Sequence, residues 1–284
     1  MDWTAPLAAV DFAALNIPRA ISLGPVDLRF YSLAYIIGIL LAWWWVLRLL
    51  RAPHPPAPPA TNEQVDALVT WATLGVILGG RLAYVLFYDP ARFAANPVDI
   101  VKIWEGGMAF HGGMVGVGLA ILLYCRAQGI SWLRVTDYVA CAAPIGLGLG
   151  RIANFINGEL WGRPTGSDWG IIFPGAGPEP RHPSQLYQAF LEGLVLFVLM
   201  NLLFRSPALR ARPGFLMGAF LFLYGLFRFV VEFFREPDAQ LGVLSWGLTM
   251  GQTLCVPMLI GGAWLMATSE SRRARAALAA PAQG

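Results

Sequence analysis

The chain has 284 residues, of which 57% are hydrophobic and 13% are charged, and its mean hydropathy is +0.57. These values exclude a soluble globular domain and a disordered chain, and they predict an integral membrane protein. The formal net charge of +3 is not arranged as a basic stripe beside an aromatic platform, so we expect no nucleic-acid partner.

The predicted elements begin with an N-terminal arm over residues 1–30, which we expect at the membrane interface. No basic segment precedes its short apolar run, so it lacks the pattern of a cleaved signal peptide. Windows of about twenty apolar residues then predict seven transmembrane helices in an all-α domain over 31–267. These helices lie near 31–50, 66–88, 108–125, 135–157, 185–204, 214–234 and 246–267.

The connecting segments have distinctive compositions. The stretch 53–60 is rich in proline and predicts a linker of polyproline type, and Thr61 followed by Gln64 predicts a capping box at the start of the second helix. Residues 158–184 combine Gly and Pro with aromatic side chains, which predicts a small ordered head between helices four and five. Residues 268–284 form a basic tail.

Arginines in short loops predict the orientation, because cytoplasmic loops carry an excess of Arg and Lys. One set of loops is basic with few acids, whereas the other set mixes acids and bases. The basic set comprises Arg48, Arg51, Arg126, Arg134, Arg205, Arg210, Arg212, Arg272, Arg273 and Arg275. We therefore predict a cytoplasmic C-terminus, with the N-terminus and the head on the outer side.

A polar cluster interrupts the fourth predicted helix within GLGLGRIANFINGELWGRPT (146–165). Arg151, Asn154 and Gly158 share one helical face by their spacing, and Glu159 follows them. Placing an Arg near the bilayer centre costs roughly 2.5 to 3.5 kcal/mol, so such side chains should face protein or water. The segment is a candidate site. An interfacial helix end with polar side chains reaching for water is the simpler alternative.

Other predicted helices bring polar residues to the same, outer leaflet. A stripe along the sixth helix, at spacings of four, four and three, consists of Tyr224, Arg228, Glu232 and Arg235. One residue on each of four further helices joins them: Tyr31, Arg81, His111 and Glu192. Leaving the charged members in lipid would cost on the order of 10 kcal/mol, so a shared hydrated cavity is expected. The inner halves of the helices are expected to be almost purely apolar.

These residues also have simpler interpretations, which the sequence leaves open. Arg228 and Glu232 could form only an intrahelical pair. His111 opens a helix where a backbone carbonyl could satisfy it. Arg81 suits a pair with Glu192 or with an acid of a loop, and the tyrosines match an interfacial aromatic belt.

An arginine-lined cavity open to the outer leaflet suits a phospholipid head group, because guanidinium groups pair bidentately with phosphate. Arg151 and Arg228 would neutralise a phosphate as it becomes a leaving group. His111 would take the proton of an incoming nucleophile, with Glu232 and Glu159 as rival bases.

The three cysteines, Cys125, Cys141 and Cys255, are widely spaced in apolar surroundings and are expected to be packing residues. None is placed to attack a head group, so direct transfer without a covalent enzyme intermediate is expected. Neither a metal site nor a cofactor is predicted.

Five segments of the chain resemble the prolipoprotein diacylglyceryl transferase family. They are GRIANFINGELWGRPT (150–165), GGRLAYVLFYD (79–89), FHGG (110–113), RHPSQLYQAFLEG (181–193) and LYGLFRFVVEFFREPD (223–238). The resemblance implies seven helices with an external head. It also implies transfer of the diacylglyceryl group of phosphatidylglycerol to the lipobox cysteine of a preprolipoprotein, which forms a thioether and releases glycerol phosphate.

Residue by residue, the resemblance assigns Arg151 and Arg228 as the essential arginines, with Arg151 contacting phosphatidylglycerol. It implies further roles for Tyr31, His111, Asn154, Glu159, Tyr224, Glu232 and Arg235, and our substrate-binding set also includes Gly158 and Arg81. The implied partners are phosphatidylglycerol, preprolipoprotein signal peptides and membrane lipids. The implied location is the bacterial inner (cytoplasmic) membrane, with the active site toward the periplasm.

Two functions of other classes compete with this interpretation. A small-anion transporter would use the same arginines, but transporters usually place their sites at the midplane between internal repeats, and no repeat is visible here. A lipid-binding scaffold would hold the lipid without turnover. Release of glycerol phosphate on addition of a lipobox peptide would separate both from a transferase.

Overall fold

The computed structural model describes residues 9–23, 26–53, 56–237, 242 and 244–279 of a mainly helical chain. The α-helices, in chain order, are α1 (Phe30–Leu50), α2 (Asn62–Phe87), α3 (Pro90–Ala95), α4 (Phe110–Ala127), α5 (Trp132–Asn157), α6 (Ser184–Gln188), α7 (Leu196–Phe204), α8 (Pro207–Arg210), α9 (Phe215–Val231), α10 (Met250–Ala267) and α11 (Ser269–Ala279). A π-helix, Ala189–Val195, joins α6 to α7. Short 3-10 helices cover Phe12–Leu15, Pro97–Val101 and Ile103–Glu105, and the strands are β1 (Val10–Asp11), β2 (Ala20–Leu23), β3 (Val26–Arg29) and β4 (Ile171–Ile172).

Five helical segments among the described residues are long and apolar enough to cross a membrane. They are α1, α2, α5, the continuous segment Ser184–Phe204 and α10. At the two other predicted positions the structure has shorter apolar helices, His111–Ala127 and α9. The prediction of a helical membrane protein is confirmed, while the count of seven spans stays a prediction.

Side-chain caps set the starts of two long helices. The predicted capping box is confirmed, because Thr61 and Gln64 exchange backbone and side-chain hydrogen bonds at the start of α2. A second capping box, between Thr249 and Gln252, starts α10. This cap explains why α10 begins at Met250 and not near 246 as predicted, since a capping residue has non-helical dihedrals.

The chain forms two compact units. One contains the described residues up to Trp45 and from Asp137 onward, and the other is Val46–Thr136. In the second unit α2 and α4 pack through glycines, so closely that a Cβ on Gly79 would lie 2.3 Å from the carbonyl oxygen of Gly112. Small residues permit this approach of helix backbones.

The N-terminal arm contains strands that an all-α prediction did not include. β1 pairs in parallel with β4 of the head, and β2 pairs with β3 as an antiparallel hairpin. Phe12 anchors the arm, because its ring packs on Phe155 and Phe173. Within the segment predicted as the head, 158–184, β-bridges join Pro164 and Ile171 to Arg181. Its assignment as an external head stays a prediction.

Within the first unit, the helix halves predicted to be inner contain two polar side chains with defined hydrogen-bond partners. The expectation that these halves are almost purely apolar stays a prediction. The Asp137 carboxylate, on a residue only 2% exposed, accepts hydrogen bonds from the backbone N–H groups of Gly214 and Met217, each at 2.8 Å. It thereby caps the start of α9, where a helix favours negative charge. Asn201 accepts a hydrogen bond from Trp45 Nε1 at 2.9 Å and donates to the Cys141 carbonyl.

Candidate active site

The candidate site is built where α5 crosses the π-helix. Gly148 and Gly193 make the crossing close, since a Cβ on Gly193 would lie 2.7 Å from Gly148 Cα. Arg151 lies one turn beyond Gly148, and Glu192 precedes Gly193. The crossing therefore brings Arg151 Nε to 3.3 Å from Glu192 Oε2, an ion pair whose carboxylate is fully buried. Single-turn π-bulges of this kind are frequent at functional sites.

Helix α9 supplies a second ion pair. Arg228 Nη2 lies 2.8 Å from Glu232 Oε2, four residues further along the chain. Thr249 Oγ1 donates to Glu232 Oε1 at 2.9 Å, so both carboxylate oxygens have a partner within 3 Å. Gly251 leaves the space that this carboxylate occupies, because a Cβ there would lie 2.6 Å from Glu232 Oε1.

The two pairs belong to one group of side chains. Glu192 interacts electrostatically with Arg151, Arg228 and Arg235, and Tyr224 interacts with Arg151 and Glu192. We call Arg151, Glu192, Tyr224, Arg228, Glu232 and Arg235 the arginine cluster. Three arginines, from α5, from α9 and from the segment after α9, converge in it, and guanidinium groups are suited to bind an anion.

The end of α5 forms a polar network beside this cluster. Glu159 Oε1 accepts hydrogen bonds from the side-chain amides of Asn154 at 2.9 Å and Asn157 at 3.2 Å. The turn between these residues needs Gly158, whose φ of +68° is unfavourable for other residues. The phenol of Tyr31 interacts electrostatically with Glu159 and Arg151, so Tyr31 also faces this region.

Backbone pairing with the head holds Arg235, which follows the end of α9. Gly162 forms an antiparallel bridge with Arg235, and Arg163 Nε donates to the Arg235 carbonyl at 3.0 Å. The bridge requires glycine, because a Cβ on Gly162 would lie 2.4 Å from the His182 carbonyl oxygen. The structure thus brings most of the predicted site residues together in the first unit.

Two predicted site residues, Arg81 and His111, belong to the second unit. His111 is an exposed residue in the first turn of α4. Arg81 donates its five N–H groups to backbone carbonyls of described residues in its own unit. The acceptors are the carbonyls of Asp99, Ile100, Lys102, Gly106 and Gly107, at 2.5 to 3.2 Å. These bonds anchor the loop to α2, and the substrate-binding role of Arg81 stays a prediction.

The sequence analysis missed three residues around the cluster, Gln185, Gln188 and Thr249. It placed Glu192 among the converging polar residues but gave it no role in the site. Gln185, Gln188 and Glu192 are 0% exposed and Thr249 is 4% exposed. A usable signal was present for the two glutamines, because they recur with Glu192 at spacings of three and four in a segment predicted to span the membrane.

Comparison with known proteins identifies the chain. A family model described as prolipoprotein diacylglyceryl transferase matches residues 18–268. The chain belongs to this family. The transferase is 60% identical to the phosphatidylglycerol–prolipoprotein diacylglyceryl transferase of Zymomonas mobilis, over 93% of this chain and 95% of the relative.

Other relatives with the same name are similar to this chain along nearly their whole length. The protein of Gluconacetobacter diazotrophicus is 54% identical over 92% of this chain and 93% of its own, and that of Rhodospirillum rubrum is 54% identical over 90% and 93%. The predicted family resemblance is confirmed, and so is the prediction that the chain is an enzyme, a diacylglyceryl transferase of lipoprotein maturation.

Proposed function

We propose that the transferase moves the diacylglyceryl group of phosphatidylglycerol onto the lipobox cysteine of a preprolipoprotein, with the arginine cluster as the phosphate site. The observation that carries this proposal is a buried guanidinium donor of the arginine cluster, Arg228 Nη1. Arg228 Nη1 is buried and has no hydrogen-bond partner among the described residues. Such a donor is available to a phosphodiester oxygen.

The reaction is a displacement at carbon. The cysteine thiol loses its proton to a base, and the thiolate attacks the glycerol carbon of the diacylglyceryl group that carries the phosphate oxygen. A C–S bond forms as the C–O bond breaks, and glycerol phosphate leaves with the electron pair. Arg151 and Arg228 lower the barrier by stabilising the negative charge that develops on the departing phosphate.

We propose His111 as the base that takes the thiol proton. This role rests on the family resemblance and on the ordinary pKa of imidazole, which suits proton transfer near neutral pH. The two carboxylates that compete for this role are less available to accept a proton. Glu232 already accepts from Thr249 and pairs with Arg228, and Glu159 already accepts from Asn154 and Asn157.

The remaining assignments complete the proposal. Tyr31, Asn154, Gly158, Tyr224 and Arg235 shape the region in which the head group is held. We propose seven spans over 31–267 in the bacterial inner membrane, with residues 1–30 and the 158–184 head at the periplasmic face and residues 268–284 in the cytoplasm. The excess of arginine in the loops on one side supports this orientation.

The test is a transfer assay with purified protein, phosphatidylglycerol labelled in its head group and a lipobox peptide. We expect labelled glycerol phosphate to be released in step with a mass increase of the peptide. Arg228→Ala should lower kcat about 100-fold or more, as loss of a charge-stabilising donor does. Arg205→Ala, an exposed arginine after α7, is the matched control and should keep full activity.

Three results would each contradict the proposal. Binding of the lipid without release of glycerol phosphate would favour a lipid-binding scaffold, and uptake of small anions into protein-containing vesicles would favour a transporter. Unchanged turnover by a folded Arg228→Ala variant would remove the phosphate site from the arginine cluster.

A further inference from the structure

Three polar side chains form a completely buried row along one helical segment. Gln185, Gln188 and Glu192 are each 0% exposed, and their spacings of three and four place them on one face. We call these three residues the amide row. Gln185 Nε2 donates to the Glu159 carbonyl at 2.6 Å, and Glu192 pairs with Arg151. The row therefore runs from the polar end of α5 to the arginine cluster.

Most polar atoms of the amide row have no partner among the described residues. These atoms are Gln185 Oε1, both side-chain amide atoms of Gln188, and Glu192 Oε1. A buried polar group without a partner destabilises the folded protein, and native proteins leave few of them unpaired. A row with four such atoms, next to the unpaired Arg228 Nη1, indicates a site that binds a polar ligand.

The mixture of donors and acceptors identifies the chemistry of that ligand. A phosphate oxygen only accepts hydrogen bonds, so it would match Arg228 Nη1 and Gln188 Nε2 but none of the three unpaired oxygens. A hydroxyl group both donates and accepts, so it matches either kind of atom. The amide row is thus suited to a ligand that carries hydroxyl groups close to a phosphate.

We propose that the amide row binds the free hydroxyl groups of the glycerol head group, and that Gln188 determines head-group specificity. This inference rests on the proposed function, in which the arginine cluster holds the adjoining phosphate. Gln188 and Glu192 lie about one helical turn apart, so the row begins next to the arginine cluster and can reach hydroxyl groups close to a phosphate held there. The row holds the leaving group and takes no part in bond breaking.

The experiment compares phosphatidylglycerol with phosphatidylpropanol, which has the same phosphodiester but no free hydroxyl group. We expect the wild-type protein to prefer phosphatidylglycerol by at least about tenfold in kcat/KM, since one hydrogen bond is worth about that factor. Gln188→Met keeps a side chain of similar length and removes both amide atoms. It should lower kcat/KM for phosphatidylglycerol by roughly the same factor and leave that for phosphatidylpropanol unchanged.

Gln128→Met, an exposed glutamine at the end of α4, is the matched control and should keep the wild-type preference. An equal loss on both lipids in Gln188→Met would mean a purely structural role and would overturn the inference. If Gln188→Met keeps the wild-type preference for phosphatidylglycerol, only water occupies the amide row, and the inference is overturned as well. If no lipid supports transfer, the proposed function fails, and the head-group preference is then read from the binding of the two lipids.

Discussion

The hydrogen-bond partners of an arginine indicate whether its guanidinium group stabilises the fold or is available to bind an anion. Arg81 uses all five donors on backbone carbonyls of the loop 99–107. Arg228 has one pair with Glu232 and retains a buried donor without a partner among the described residues. Both residues look alike in the sequence, since each is an arginine in an apolar helix. Only the backbone conformation of the loop distinguishes them.

Replacing Arg81 should therefore destabilise the protein without weakening lipid binding. Arg81→Met leaves several buried carbonyls unsatisfied, at roughly 1 kcal/mol or more each, so the melting temperature in detergent should fall clearly. Arg81→Lys, with three donors, should lie between the variant and the wild type. The KM for phosphatidylglycerol of the folded protein should not change. A raised KM with an unchanged melting temperature would return Arg81 to the substrate site.

Replacing His111 tests the proposed base. His111→Gln removes the imidazole that we propose takes the thiol proton, so the rate should fall about 100-fold or more. The low-pH limb of the kcat/KM profile, where an unsubstituted imidazole would become protonated, should disappear. The measurement is transfer from pH 5.5 to 8.5, with His54→Gln in the proline-rich linker as the control. A profile of unchanged shape would move the role to Glu159 or Glu232.

At the scale of elements, the close contact between Gly148 and Gly193 determines where α5 crosses the π-helix, and so where the site forms. Apolar windows predicted most helix boundaries to within a few residues, and the spacing of Thr61 and Gln64 predicted the capping box of α2. The sequence could not predict the π-helix Ala189–Val195, because its wider turn comes from tertiary packing and has no propensity signal of its own. That turn carries Glu192, so its pairing with Arg151 could not be predicted either.

Gly193→Ala should disturb the site through the crossing of α5 with the π-helix. The added Cβ would lie 2.7 Å from Gly148 Cα, and backbone there cannot yield without separating the helices. Overpacking of this kind costs about 1 to 3 kcal/mol. We expect kcat/KM to fall by about tenfold or more as Arg151 moves away from Glu192. Gly150→Ala, whose Cβ would meet nothing within 4 Å, should behave like the wild type.

The head contains a pH-sensitive group. The ring of His182 packs against Trp169 and Phe234, and burial lowers the pKa of this imidazole from its ordinary value. The folded head therefore binds a proton less readily than the unfolded chain. Stability is fully present above the ordinary pKa, near 6.5, and falls as the pH drops from there toward the folded pKa.

His182→Phe should flatten this dependence. The difference in melting temperature between pH 7.5 and pH 5.5 should be smaller in the variant than in the wild type, because phenylalanine has no proton to bind. Thermal unfolding of both proteins at the two pH values measures this difference in melting temperature. An equal or larger difference in the variant would show that His182 does not contribute to the acid sensitivity of the head.

At the scale of the whole molecule, composition predicted the class of protein, and family motifs predicted the chemistry. Hydropathy located the long apolar helices, but it did not predict the strands of the N-terminal arm. It also did not predict what the buried carboxylate of Asp137 contacts, because a pattern that scores apolar runs carries no information on hydrogen-bond partners. Long-range pairs such as Trp45 with Asn201 depend on tertiary packing.

The three cysteines test the prediction of direct transfer across the whole chain. Cys125, Cys141 and Cys255 are free thiols, and all are buried. A variant with alanine at these positions should retain transfer to within a few-fold and lose some thermal stability, since small cavities replace the sulfur atoms. Transfer and melting temperature are measured together. A folded variant without activity would mean that a cysteine of the enzyme takes part in the reaction.

The same cysteine-free chain tests the orientation predicted from the arginines. Ser167→Cys introduces a thiol at an exposed position of the head, and Ala208→Cys introduces one at an exposed position of α8, within an arginine-rich connection. If the excess of arginine marks the cytoplasm, a membrane-impermeant maleimide should label only Ser167→Cys in intact spheroplasts. Both should be labelled after permeabilisation, which serves as the internal control. Labelling of Ala208→Cys alone in intact spheroplasts would reverse the orientation and move the proposed site to the cytoplasmic face. The arginine-rich loops would then lie outside the cytoplasm, contrary to the rule from which the orientation was predicted.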